Sequence, residues 1–210
     1  MQKKSQEQAD KKTTEAQAER KDIAKDQKEV QDKKSAEAKM VTETGLVLVD
    51  ESSLTSKLVK FNTEDGTSVK DSPVTTIRNR TAFETDKGFI AIAGENVNNG
   101  TVKLVIIDKD TMEIVDESDE TVSEYSVLVQ DGSSYYCIIQ SGSSWVTAKY
   151  DSSLNMLLKS PEAVKPSTPI TVTDAGIVVT AANGRMMLLS KKDLTKIAKP
   201  IDYSNYVDAK

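Results

Sequence analysis

Any chemistry in this sequence has to come from carboxylates. It holds 33 Asp and Glu against 28 Lys and Arg, one Cys and no His. Without imidazole there is no Ser-His-Asp or Cys-His nucleophile system and no His metal ligand. A single Cys excludes an internal disulfide and a thiolate zinc site. The densest acidic motif, Asp108-Lys-Asp110-Thr-Met-Glu113, opens like a calcium loop and is followed by Asp116-Glu-Ser-Asp-Glu120. An EF-hand loop needs an oxygen donor at its fifth position and Gly at its sixth. Here those positions hold Met112 and Glu113. The motif therefore reads as a turn after a strand, with Met112-x-Ile114 alternating as strand and the acidic run on a solvated loop; an adventitious weak calcium site is the residual reading.

The other candidates are weaker. Cys137 lies in the apolar run Tyr135-Tyr-Cys-Ile-Ile139, with no cation beside it in sequence to lower its pKa, so it reads as a core thiol. Gly94 and Gly100 flank Glu95-Asn-Val-Asn-Asn99, but no helix follows to present its N-terminus to a phosphate, so this is a hairpin loop. Trp145, Tyr135, Tyr136 and Tyr150 form an aromatic concentration that suits core packing better than a binding surface. Arg78, Arg80 and Lys87 are too few for nucleic acid, and the net charge of −5 opposes phosphate binding by the chain as a whole. A carboxylate- or calcium-dependent enzyme would need acids such as Asp50, Glu95, Asp131 and Asp174 to converge, yet each sits at a turn where exposure is the default. No catalytic, cofactor-binding or metal-binding residue is assigned on these grounds, and no cofactor is implied.

The elements that would position these residues fall into two regions. Residues 1–39 contain no Gly, Pro or aromatic residue and are rich in Lys, Glu, Gln and Ala, a helix-forming composition. Ala9, Ala16, Ile23 and Val30 recur every seven residues, but Thr13, Arg20, Gln27 and Lys34 make the companion row polar. The segment predicts a solvated helical stalk, with weak or no self-association through residues 9–30; a self-associating coiled-coil scaffold is the alternative. From Met40 onward, short runs of Val, Ile and Leu alternate with Gly, Asn, Asp and Ser, the pattern of strands and turns. The boundary falls near Lys39–Thr44, giving a stalk at 1–39 and a β domain at 40–210.

That β domain repeats itself. Phe61-Asn62, Ile107-Asp108, Tyr150-Asp151 and Leu189-Ser190 each close a strand before a turn, at spacings of 46, 43 and 39 residues. Thr81–Glu84, Ser126–Val129 and Ile170–Thr173 add an upstream strand to three of the repeats, and Asn99-Gly100 and Asn183-Gly184 suit type I′ turns. Four strands per repeat of about 40–45 residues is the blade signature of a β-propeller. The expected fold is a four-bladed β-propeller, with an antiparallel β-sandwich as the alternative. Ile201–Tyr206 is expected to add a closing strand to the first blade.

No apolar run approaches the ~20 residues that cross a bilayer, so no transmembrane segment is expected. The polar start shows no signal peptide, which fits a cytoplasmic protein or, better, a fragment of a longer exported one. The charged segment leading into a β domain resembles the spirochaetal 83/100-kDa antigen family, most closely at KLVIIDKDTMEIVDESDE (103–120) and AKYDSSLNMLLKSPEAV (148–164). The resemblance implies an exported cell-envelope, periplasmic antigen with no catalytic motif to carry over. The functional expectation is a non-catalytic interaction module, binding a protein partner or packing within a larger parent protein.

Overall fold

A computed structural model describes Lys25, Gln27, Lys28 and residues 41–98 and 100–198. Its contacts divide the chain into two units, Met1–Glu43 with Asn62–Thr67, and Thr44–Phe61 with Ser68–Lys210. In the first, Lys25, Gln27 and Lys28 have helical backbone and exposed side chains. The seven-residue row Ala9, Ala16, Ile23 and Val30 lies outside the described residues, as does the closing-strand segment Ile201–Tyr206.

The described chain is mainly β and its paired strands are antiparallel. The strands are β1 (Thr42–Asp50), β2 (Thr55–Asn62), β3 (Ser68–Asp71), β4 (Ile77–Thr85), β5 (Gly88–Ala93), β6 (Lys103–Ile107) and β7 (Ile114–Glu117). They continue as β8 (Val129–Asp131), β9 (Ser134–Ser141), β10 (Ser144–Tyr150), β11 (Met156–Val164), β12 (Thr171–Thr173), β13 (Gly176–Thr180) and β14 (Met186–Leu189). Three meanders account for most of them: β4-β5-β6-β7, β8-β9-β10-β11 and β12-β13-β14. Strands β1, β2 and β3 form a further antiparallel set, joined to β4 only through Ser56 opposite Ile77. Among the described residues no sheet closes on itself.

Turn chemistry explains why the repeat is regular. At the four aligned positions a short polar side chain accepts backbone N–H groups of its own turn. Asn62 Oδ1 accepts from Glu64, and Asp108 Oδ1 accepts from Asp110 and Thr111. Asp151 Oδ1 accepts from Ser153 and Asn155, and Ser190 Oγ accepts from Lys192. Each turn then passes through one residue of positive φ: Gly66 (72°), Met112 (62°), Leu154 (59°) and Leu194 (58°). For Met and Leu this left-handed conformation is costly, and it persists here because Met112, Leu154 and Leu194 bury their side chains. Gly88 and Gly176 are also equivalent. Their φ values are 143° and 146°, and a Cβ on either would lie 2.4 Å from a neighbouring carbonyl, that of Ile107 or Leu189.

Alternation along the central strands β5 and β9 sends apolar side chains to both faces, so the two middle strand sets are covered on both sides. Phe89, Ala91, Ala93, Val105 and Ile107 join Leu58 and Met112 in one core. On the opposite face of the same strands, Ile90, Ile92, Leu104 and Ile106 meet Tyr135, Cys137, Ile139, Ala148 and Tyr150. The remaining face of β9, through Tyr136 and Ile138, packs on Ile177, Val179, Met187 and Leu189. Three apolar layers thus separate successive strand sets, and the hydrophobic effect holds the repeats face to face.

Several sequence expectations need correction. Met112 belongs to a turn, and strand β7 begins only at Ile114. Ser126–Leu128 lies outside β8, because Ser126 Oγ takes the N–H of Ile138 that a paired strand would otherwise occupy. Asn183-Gly184 is not type I′: Gly184 alone has positive φ, and the turn is closed by Gly184 N–H to Ala181 O and by Ala181 N–H to Arg185 O. The Asn99-Gly100 expectation involves Asn99, outside the described residues; Gly100 N–H donates to Val97 O inside a longer loop. Among the described residues the fourth repeat carries three strands, and Lys196 bridges to Leu189.

Two outcomes test this account. Leu194→Ala is expected to destabilise the β domain by about 2–4 kcal/mol through lost packing, whereas Gly66→Ala costs about 1 kcal/mol through backbone strain alone; urea denaturation measures both. Acid is the second test. Asp50 is held down at about 2 by hydrogen bonds from Ser53 and Ser52. Asp65, Asp108, Asp151 and Asp193 are lowered by hydrogen bonds within their turns. Unfolded carboxylates take up protons near the ordinary 3.8, so protonation favours the unfolded chain. Melting temperature is therefore expected to hold above roughly pH 5 and to fall as pH drops from about 4 towards 2. A flat profile across that window would show that the turn bonds add nothing.

Candidate functional site

The connections, with the ends of two strands, build a concave region that combines exposed aromatic and polar groups. It is a cleft of about 380 Å³. Its walls come from the β5–β6 loop (Asn96), the β7–β8 connection (Glu124 and Tyr125), the β9–β10 hairpin (Gln140 and Trp145) and the β11–β12 connection (Pro166). Tyr125 is 61% exposed. Trp145 packs against the Tyr136 core and also lines the cleft.

The loops are held by buried polar groups. Arg78 is almost fully buried; its Nε donates to Gly94 O at 2.8 Å, and Nη1 lies 3.9 Å from Glu124 Oε2. Asn79 Nδ2 donates to Ser126 O at 2.7 Å and to Glu124 O at 3.3 Å. Ser123 Oγ donates to Pro166 O at 2.8 Å, tying two of the connections together. Asn79 and Arg80 both have φ of 54°, a pair of left-handed non-Gly residues that these bonds hold in place. The geometry offers stacking surfaces in Tyr125 and Trp145, amide groups in Gln140 and Asn96, and one carboxylate, Glu124.

The acids named from sequence do not assemble. Asp50 is exposed and caps Ser52 and Ser53. Asp131 pairs with Lys191 at 3.1 Å, while Glu95 and Asp174 are exposed. Among the described residues, no group of three Cys, Asp or Glu side chains could hold a metal ion. Asp108 spends its carboxylate on its own turn, which accounts for the calcium-like spacing.

Cys137 is fully buried, and burial with Glu120 nearby pushes its thiol well up. Tyr150 donates to Glu120 Oε2 at 2.8 Å, and its phenol is raised first by burial. Tyr135, Tyr136 and Tyr150 are therefore core residues, as their placement in strands predicts. Trp145 is only partly so. Sequence reasoning missed Tyr125 and Glu124, and took Arg78 for part of a basic patch where it is buried; a Glu-Tyr pair bounded by Ser123 and Ser126 carries no signal of exposure by itself.

The Borrelia P83/100 protein family model matches residues 1–170. The chain belongs to that family. Both segments that carried the resemblance, 103–120 and 148–164, fall inside the match, and so does every residue lining the cleft. No curated protein matches the chain. Membership of this borrelial antigen family supports a non-enzymatic antigen role with cell-envelope association. No helix among the described residues is long and apolar enough to cross a membrane.

Arg78 provides the test of how the site is held. Arg78→Ala is expected to lower stability by about 2 kcal/mol, by leaving the Gly94 carbonyl and Glu124 unpaired. Hydrogen exchange should accelerate first in residues 94–102 and 123–127; unchanged exchange there would remove Arg78 from the account.

Proposed function

We propose that this P83/100 family member is a non-catalytic periplasmic interaction module, in which a helical stalk at 1–39 carries the β domain of 40–210 and the aromatic cleft engages a protein partner. The observation that carries the reading is the exposed Tyr125 beside Trp145, framed by amides and a single carboxylate. Rigid aromatic side chains at a cleft bury much area at little entropic cost, which is how protein interfaces concentrate their energy. Four repeats separated by apolar layers favour a four-bladed propeller arrangement for the domain, since a ring would also cover the outer faces of the first and last repeats. An antiparallel sandwich accommodates the same strands.

Site-specific photo-cross-linking in the native cell tests this. A photoreactive residue in place of Tyr125 is expected to trap a discrete protein adduct, while one in place of Val69 on β3 traps none. Gln140→Ala, at an exposed position lining the cleft, should reduce the Tyr125 adduct severalfold without lowering the melting temperature appreciably. Equal labelling from both positions, or none from Tyr125, would rule out the cleft as the partner site.

A further inference from the structure

The hydrogen-bonding groups of the cleft limit what can occupy it. Its wall carbonyls are already engaged within the protein. Val102 O accepts from Val122 N–H, Thr121 O from Gln140 N–H and Ser123 O from Ser126 N–H. Glu124 O accepts from Asn79 Nδ2, and Pro166 O from Ser123 Oγ. The backbone therefore gives an incoming chain no ladder to join, and recognition falls to side chains. Among the described residues, the Tyr125 hydroxyl and the Trp145 Nε1–H make no hydrogen bond, and neither is a buried orphan sealed from solvent. An indole N–H can only donate. Gln140 spends one amide N–H on Gly142 O and keeps the other. No Lys or Arg lines the cleft, which opposes an anionic ligand. Glu124 is the one charged group lining it, 31% exposed, and Arg78 Nη1 at 3.9 Å is too distant to hydrogen-bond it. Its carboxylate keeps capacity for a second cation.

A ligand suited to this surface presents carbonyls, asks for few backbone acceptors and carries rigid apolar rings to lay against aromatic faces. Polyproline II chain meets all three requirements. It makes no internal hydrogen bonds, so its carbonyls stay open, and proline has no N–H that would need an acceptor. Its pyrrolidine rings pack on Tyr and Trp, and its pre-set backbone loses little entropy on binding. An extended β-peptide would leave its own N–H groups unpaired against carbonyls already in use. A sugar would need a donor and an acceptor together at each buried hydroxyl. We propose that the cleft binds a proline-rich segment of its protein partner in polyproline II conformation, with Tyr125 and Trp145 donating to its carbonyls and a flanking Lys or Arg against Glu124. The assignment rests on the reading of the cleft as the partner site and names the chemistry of what enters it. Charge-assisted pairing at Glu124 then sets the direction in which the pseudo-symmetric segment lies.

Trp145 is the single Trp of the chain, so intrinsic fluorescence of the full chain reads the cleft directly. The probe is an end-blocked peptide of about nine prolines with Arg at each end. It is expected to shift the Trp145 emission to shorter wavelength in a saturable titration. Tyr125→Ala, at an exposed position, should weaken binding about tenfold with an unchanged melting temperature, and Tyr125→Phe about threefold through loss of the hydroxyl donor. Glu124→Gln should erase the advantage of the Arg-flanked peptide over the same prolines without Arg. No shift with the proline peptide would overturn the proposal, as would an equal shift from a Gly-Ser peptide carrying the same Arg residues. Binding indifferent to Tyr125→Ala would also overturn it, and so would a shift produced by a neutral oligosaccharide in place of the peptide. The two failures separate: a discrete Tyr125 photo-adduct in the cell without a proline-peptide shift overturns this inference alone, whereas a saturable shift without an adduct overturns the partner reading alone.

Discussion

Ile90 and Ile92 on one face of β5, and Phe89, Ala91 and Ala93 on the other, must leave water together. Strand β9 carries the same requirement through Cys137 and Ile139 on one side and Tyr136 and Ile138 on the other. A sheet that is apolar on both faces cannot be satisfied by its own hairpins, so each repeat needs a neighbour on either side. At about 1.5–3 kcal/mol for each large apolar side chain removed from water, these layers outweigh any local preference of the chain. They also account for Met112, Leu154 and Leu194 adopting left-handed backbone, a local cost offset by burial in those layers.

The acidic composition is explained by the same geometry. A meander of short strands makes many tight turns, and each turn leaves backbone N–H groups without a strand partner. Asp50, Asp65, Asp108, Asp151 and Asp193 supply acceptors for these groups. Carboxylates spread among separate turns serve local structure, and their spacing at residues 108–113 imitates a metal loop only on paper.

The proposed partner site draws mainly on the connections, because the layers already fix the strands. The cleft draws on four of them, and the buried Arg78 and Ser123 with the half-buried Asn79 tie those links together. Tyr125 is exposed on that surface at no cost to the core, whereas Tyr135, Tyr136 and Tyr150 are committed to packing. The cleft that carries the proposed function is thus distinct from the apolar layers that stabilise the domain.

The amino-acid sequence by itself determined the change of character near residue 40, the repeat anchored on Asn62, Asp108, Asp151 and Ser190, the burial of Cys137 and the family. Those features are written in short-range terms: alternation, turn residues and their spacing, each acting within a few positions along the chain. Tertiary structure alone decided that Met112 plugs a turn instead of extending a strand, that Ser126 replaces a strand bond, and that Tyr125 and Trp145 line one cleft. These depend on what lies against a residue from distant parts of the chain. A side chain has no record of that neighbour in its own local pattern.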